Sequence, residues 1–291
     1  MTLEPCAHYS KTPPCVDLII KSGIKQVVIA CRDPNPQVNG KGLDELRANN
    51  IDIVENILHE QAKELNVGFF SRMSTGMPYV RSKIASSIDG KTSLMNSESK
   101  WITSDHARKD VQKWRKQACA IITGSGTANN DNPRLNVRSS GPNEQPYRVI
   151  LDTHLSINLN AQILKQKKVI IAFSDDPNNK YINLQRENVQ LMQLPLNDGF
   201  IDLNSLMIQL ADLECNDILV ESGPTLNGRL LEQNFINEII LYLAPIIMGG
   251  KANPMFHNPV LQSMQKKINL KQKDSRYIGD NLRLVLEVLQ Y

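Results

Sequence analysis

The chain has 291 residues, long enough for two domains that each bury their own core. Apolar residues make up 41% and charged residues 22%, and 33 basic against 30 acidic residues leave a formal charge of +3, too weak and dispersed to argue for nucleic-acid binding. No apolar run approaches the roughly 18 residues of a membrane span, MTLEPCAHYSKTPPC does not resemble a signal peptide, and five irregularly spaced cysteines argue against a disulfide framework, so a cytoplasmic protein is expected.

In chain order, VDLIIKS closing on Gly23 predicts a helix with a glycine stop, and KQVVIA over 25–30 a short buried strand. After a loop over 33–40, LDELRANN predicts a helix, IDIVE a strand, and HEQAKELNVGFFSRM one longer helix. This alternation is the α/β pattern of a layered sheet. Ser74-Thr75-Gly76 followed by Pro78 marks a boundary, which divides the chain into 1–75 and 76–291.

Beyond that boundary YVRSKIASS is a strand candidate, and Asp89-Gly90 in SSIDG suits a turn. SDHARKDVQKWRKQ predicts a helix capped by Ser104. AIITGSG, RVILD, KVIIAF and DILVESG are compact apolar runs with strand character, and DLNSLMIQLADL between the last two has helical spacing. EIILYLAP and LRLVLEVL add strands near the end. A mixed, largely parallel sheet is expected, with helices on both faces and antiparallel strands at the C-terminal end.

Cys6 and Cys15 form P-C-x8-C, with the second cysteine opening a helix. Thiolates ligate zinc, and a helix N-terminus favours the thiolate. A catalytic deaminase zinc also needs a third ligand from an H/C-x-E motif, whose glutamate moves the proton. No such motif occurs in the chain. On spacing alone, the cysteines are either half of a metal site or two buried thiols.

Other residues are open in the same way. ESGPTLNG and TGSGT suit either plain strand-to-helix turns or phosphate-cradling segments, where free amides and the helix dipole attract anions. Asp131 in NDNPRL is a loop cap or an active-site acid. Arg115 and Arg138 are solvated charges or phosphate ligands, and Trp101 is a core aromatic or a pocket wall.

T-L-E-P-C-A-H-Y-S-K-T-P-P-C and R-D-P-N-P-Q-V-N-G-K-G closely resemble the deaminase half of the bifunctional riboflavin-biosynthesis deaminase/reductase family. S-K-I-A-S-S-I-D-G-K-T, S-K-W-I-T-S, N-D-N-P-R-L-N-V-R and E-S-G-P-T-L-N-G resemble its reductase half. The resemblance implies a truncated cytidine-deaminase-like domain followed by a dihydrofolate-reductase-like mixed-sheet domain. It identifies Cys6 and Cys15 as zinc ligands, but the family's H-A-E segment has no counterpart here, so the zinc site is incomplete and deaminase activity doubtful.

For the second domain the resemblance implies NADPH-dependent reduction of 5-amino-6-(5-phosphoribosylamino)uracil to its ribitylamino product. Asp131 and Glu221 would be catalytic. Ala85, Trp101, Thr127, Asp131, Gly223, Pro224, Thr225, Leu226, Asn227, Gly228 and Arg229 would contact the cofactor. Ser99, Arg115, Leu135, Arg138 and Glu221 would contact the phosphorylated pyrimidine. A homo-oligomer is also implied. The competing readings are a fully bifunctional enzyme with His8 completing the zinc site, and a reductase of another pterin-like heterocycle.

Overall fold

The apolar runs of the sequence become the strands of a computed structural model that describes residues 1–9, 12–138, 144–257 and 263–289. The chain divides into two compact units, Met1–Pro78 and Tyr79–Tyr291, so the division falls at Pro78 rather than at residue 75.

The first unit runs α1 (Cys15–Lys21), β1 (Gln26–Val28), α2 (Lys41–Ala48), β2 (Asp52–Val54), α3 (His59–Leu65) and α4 (Val67–Thr75). Gly23, at φ +66°, follows α1 in the left-handed turn that its lack of a side chain permits. β1 and β2 pair in parallel, and Val16, Ile19, Val27, Ile29, Leu43, Leu46 and Ile51 form the core around them. The single helix expected from residue 59 onward is two. Asn66 leaves the helical region at φ −126°, and its side-chain amide donates back to the Ala62 carbonyl, a local bond that competes with helix propagation. Glu4 is buried and accepts from the backbone amides of Asp33, Gly40 and Gly42 at 3.2, 3.0 and 3.1 Å. A Cβ on Gly42 would lie 1.9 Å from the Pro5 carbonyl oxygen, so this approach requires glycine. The two family-like motifs of this unit are therefore bound to each other.

The second unit opens with β3 (Tyr79–Ser87), β4 (Lys91–Ser93), α5 (Asp105–Gln117), β5 (Ala120–Gly124), α6 (Ser125–Asp131) and β6 (Tyr147–Leu151). It continues with β7 (Val169–Phe173), α7 (Tyr181–Leu184), β8 (Val189–Gln193), β9 (Leu196–Asn197), β10 (Phe200–Ile201), α8 (Leu203–Asp212) and β11 (Asp217–Val220). α9 (Pro224–Glu232), β12 (Glu238–Ala244), β13 (Asn253–Pro254), β14 (Asn269–Ile278) and β15 (Asn281–Leu289) complete it. The main sheet has the order β14-β15-β12-β3-β11-β5-β6-β7-β8. From β12 to β8 neighbours pair in parallel, while β15 and β14 pair antiparallel, as expected for a largely parallel sheet with a reversed C-terminal end.

Two sheet strands carry no clear sequence signal. β14 reads NLKQKDSRYI and is exposed along most of its length, because it is an edge strand with little apolar surface to bury. β8, VQLMQ, occupies the opposite edge. The cap expected at Ser104 is present, and Asp202 adds one that was not singled out. Ser104 Oγ accepts from the Ala107 amide at 3.4 Å, and Asp202 caps α8 by accepting from Ser205 at 2.8 Å.

A buried polar network fixes α5 on the sheet. Asp110 Oδ2 accepts from Tyr242 Oη at 2.6 Å and from Arg283 Nη1 at 2.9 Å, and Trp114 Nε1 donates to Tyr242 Oη at 3.1 Å. Only 3% of the Arg283 side chain is exposed. Asp110→Ala leaves that buried guanidinium with Asp274 alone. The substitution should cost about 3 kcal/mol in urea unfolding, and a loss below about 1 kcal/mol would show that the network does not hold the helix.

Candidate active site

In a parallel sheet, ligands bind in the crevice outside the carboxyl ends of the strands, where the amide groups of the following turns are unpaired. Such a cleft, of about 1020 Å³, lies in the second unit over the ends of β11, β5 and β6 and beside the middle of β3.

Three of its buried charges meet at one point. Glu221 follows the last residue of β11, and its backbone amide donates to Ile122 on β5 at 2.9 Å. Arg115 comes from the last turn of α5 and grips it in a bidentate pair, Nε to Oε1 at 2.6 Å and Nη2 to Oε2 at 3.0 Å. Each side chain is only 11% exposed. Lys83 on β3 brings its Nζ to 3.9 Å from Glu221 Oε2. Burial alone would raise the Glu221 pKa, but the charges of Arg115 and Lys83 outweigh it and hold the carboxyl down at about 2. Burial pulls the Lys83 ammonium below its ordinary value, which Glu221 opposes, Arg115 reinforces and Asp131 opposes.

Asp131 ends α6, because Asn132 adopts the left-handed region at φ +46° and stops the helix. Ser99 Oγ donates to Asp131 Oδ1 at 3.1 Å, and Lys100 Nζ donates to its backbone carbonyl at 3.1 Å. Asp131 is the last residue of α6 and lines the cleft.

Most other residues singled out from the sequence line this same cleft: Ala85, Ser99, Trp101, Thr127, Leu135, Arg138, Gly223, Pro224, Thr225, Leu226 and Arg229. Trp101 is 70% exposed, so it is no core aromatic, and the Arg108 guanidinium lies 4.3 Å from its ring centroid. Asn227 and Gly228 depart from expectation and do not line the cleft. Asn227 is buried; its Oδ1 accepts from Ser82 and Ser222 at 2.9 and 3.1 Å, and its Nδ2 donates to the Ser222 carbonyl at 3.1 Å. Its polar atoms fasten the turn between β11 and α9, and Gly228 is buried in the same helix. Arg115 also lines the cleft, with its forked edge taken up by Glu221.

Lys83 is a site residue that the sequence reading passed over. In YVRSKIASS the alternation sets Arg81, Lys83 and Ala85 opposite Val80, Ser82 and Ile84. A lysine inside a strand buried on both sides was the available signal. Thr153 and His154, just beyond β6, also line the cleft and were not singled out.

The cysteine pair is brought together, but it is not completed. The Cys15 amide donates to Cys6 Sγ at 3.4 Å, and hydrogen bonding to Cys6, then burial, pushes the Cys15 thiol upward. Among the described residues no group of three His, Cys, Asp or Glu side chains could hold a metal ion, so neither His8 nor Glu4 completes a set of ligands. Two thiols without a third donor do not fit a catalytic zinc.

The depressed Glu221 carboxyl makes stability depend on pH. Its contribution is fully present above the ordinary value of 4.5 and is lost as pH falls toward about 2. In Glu221→Gln, the decline in unfolding free energy between pH 5 and 3 should be shallower than in the parent by up to about 2 kcal/mol. Parallel declines in the two proteins would show that Glu221 is not so held.

Comparison with known proteins extends the likeness over the whole chain. Residues 78–284 match the family described as RibD C-terminal domain. The chain is 39% identical over 300 residues to riboflavin biosynthesis protein RibD of Buchnera aphidicola subsp. Baizongia pistaciae, and 37% identical over 299 residues to RibD of Escherichia coli K12. Each alignment covers 98% of this chain and 80% of the relative. The structure of Acinetobacter baumannii RibD matches with a TM-score of 0.90 at 39% identity, over 99% of this chain and 80% of that one. A Thermotoga maritima diaminohydroxyphosphoribosylaminopyrimidine deaminase/5-amino-6-(5-phosphoribosylamino)uracil reductase matches with a TM-score of 0.84 at 29% identity, over 99% and 78% of the two chains. With a family match over residues 78–284 and relatives at 37–39% identity over 98% of its length, the chain belongs to the RibD family of riboflavin biosynthesis proteins.

Proposed function

We propose that the second unit reduces 5-amino-6-(5-phosphoribosylamino)uracil to the ribitylamino product with NADPH. Membership of the family supports the reaction class. The observation that carries it to this cleft is the convergence of Lys83, Arg115, Asp131 and Glu221 on one chamber. The chamber fits a dinucleotide beside a substrate: its volume is about 1020 Å³, and a Cβ built on Gly124 or Gly126 would meet no atom within 4 Å, which leaves bare backbone for phosphate.

Bound NADPH supplies a hydride to C1′ of the ring-opened, imine-like sugar, and the adjacent nitrogen gains a proton. The protein's part is to position the reactants and manage that proton. Lys83 is the proton donor in this reading, since an ammonium whose pKa is lowered by burial is a stronger acid than a free lysine. Glu221, locked by Arg115, keeps Lys83 charged and aimed until the proton moves. Asp131 has one carboxylate oxygen engaged by Ser99 and orients the substrate with the other. Arg138, exposed at the cleft wall, is assigned the substrate phosphate. Trp101 and Ala85 border the nicotinamide, and Gly223 through Leu226 and Arg229 border the rest of the cofactor.

In the same reading the first unit is related to a cytidine-deaminase-like domain, and Cys6 and Cys15 stand at its zinc-ligand positions with no third donor among the described residues. Ammonia release from the pyrimidine substrate together with bound zinc would overturn the view that this domain lacks deaminase activity.

The purified chain should consume NADPH in equimolar step with the ribitylamino product, and no consumption would end the proposal. Lys83→Met should lower kcat by about 100-fold or more with little change in the KM for NADPH. Asp131→Asn should lower kcat/KM, and an unchanged value would remove Asp131 from the reaction.

A further inference from the structure

The segment from Arg134 to Arg138 is neither helix nor strand, and all of its residues except Val137 line the cleft. Among the described residues, none of its backbone groups bonds to another backbone group. We propose that Gln145 and Arg148, neither of which lines the cleft, are positioning residues that fix the shape of this segment and thereby the affinity for the phosphorylated pyrimidine. This inference rests on the reductase reading above and adds to it what holds the substrate-facing wall in place.

Side chains supply the bonds that the segment's own backbone lacks. Arg148 Nε donates to the Arg134 carbonyl at 3.1 Å. Gln145 closes on both polar groups of Val137: its Oε1 accepts from the amide at 3.0 Å and its Nε2 donates to the carbonyl at 3.1 Å. Arg115 Nη1 donates to the Asn136 carbonyl at 3.1 Å, and Gln112 Oε1 accepts from the Arg138 amide at 2.9 Å. Between these clamps Leu135 is 4% exposed, with its side chain in the core, and adopts φ +47°, a conformation unfavourable to a residue other than glycine. Such a backbone persists only where its surroundings over-determine it.

Arg148, on β6, is an unusual group to bury. It is 1% exposed, and among the described residues its partners are all neutral. Nη1 donates to the Pro146 and Lys167 carbonyls at 3.3 and 2.7 Å, and Nη2 to Gln145 Oε1 at 2.8 Å. Burial, then the charge of Arg115, lowers its pKa. A buried cation without a counter-ion is costly, and an apolar side chain of similar size would avoid that cost. What the guanidinium alone supplies is a rigid fork that ties these acceptors to the Arg134 carbonyl. It also orients Gln145. Nη2 can only donate, so it holds the Gln145 oxygen toward itself, and the reversed amide would set donor against donor there and acceptor against acceptor at the Val137 carbonyl.

The segment so held carries two exposed cations into the cleft, Arg134 at one end and Arg138 at the other. Fixing the backbone between them fixes where each guanidinium starts, and bidentate recognition of a phosphate ester depends on that placement.

The test combines steady-state kinetics of the full chain with NADPH and the phosphoribosylamino pyrimidine, calorimetry with NADP+, and urea unfolding. Gln145→Met, which keeps the volume and removes the bonds, should raise the KM for the pyrimidine about ten-fold, with kcat and NADP+ affinity within about two-fold of the parent. Arg148→Lys, which keeps the charge and loses the fork, should act in the same direction, and if it does not fold, Gln145→Met decides alone. An unchanged pyrimidine KM in Gln145→Met would overturn the assignment. So would weaker NADP+ binding at an unchanged pyrimidine KM, which would give the segment and Arg134 to the nucleotide. A joint fall of kcat, NADP+ affinity and urea midpoint would reduce the pair to packing and overturn it as well. Each of these outcomes leaves the reductase reading intact, whereas a parent protein that does not oxidise NADPH with the pyrimidine would overturn both.

Discussion

The ion pair of Arg115 with Glu221, joined by Lys83, is the constraint around which the reductase unit is arranged. A carboxylate and a guanidinium this deeply buried are tolerable only when they satisfy each other, and removing either leaves a charge with no water to solvate it. The three side chains come from β3, α5 and the end of β11, so the pairing exists only when those elements are docked in one register. Asp110, Tyr242 and Arg283 secure α5 from its other side. The electrostatics of the cleft and the packing of the helix are therefore parts of one arrangement.

That arrangement also explains where the cleft lies. The parallel order from β12 to β8 brings several strand ends to the same side, each followed by a turn with unpaired amides. β5, β6 and β11 are largely buried along their lengths, and Gly124, Asp152 and Glu221 at or just past their ends line the cleft. Burial holds the strands in place, and the residues just past them meet the ligand. Asn227 shows the other side of this logic: a polar residue inside a motif of ligand type serves the turn itself, and its bonds to Ser82 and Ser222 keep the backbone of Gly223 where the cleft needs it.

The first unit has a different organising contact, the Glu4 carboxylate received by three amides of the 33–42 segment. This contact sets the loop before α2 against the segment that leads to Cys6. The two cysteines are thereby adjacent, yet adjacency of two thiols is not a metal centre, and the donor set stops at two among the described residues.

The sequence by itself determined the α/β class, the strong strands and their caps, and the residues that the family motifs mark, because apolar periodicity, capping chemistry and ordered motifs are local properties. Ser104 and the run AIITG could be read that way. Only tertiary structure decided that 59–75 is two helices, that NLKQKDSRYI is an edge strand, and that Lys83 completes the buried charge cluster. It also decided that Asn227 turns inward while Trp101 stays exposed. Each of these depends on what a residue faces across the sheet, and that is fixed by strand order and register, which no single stretch of sequence contains.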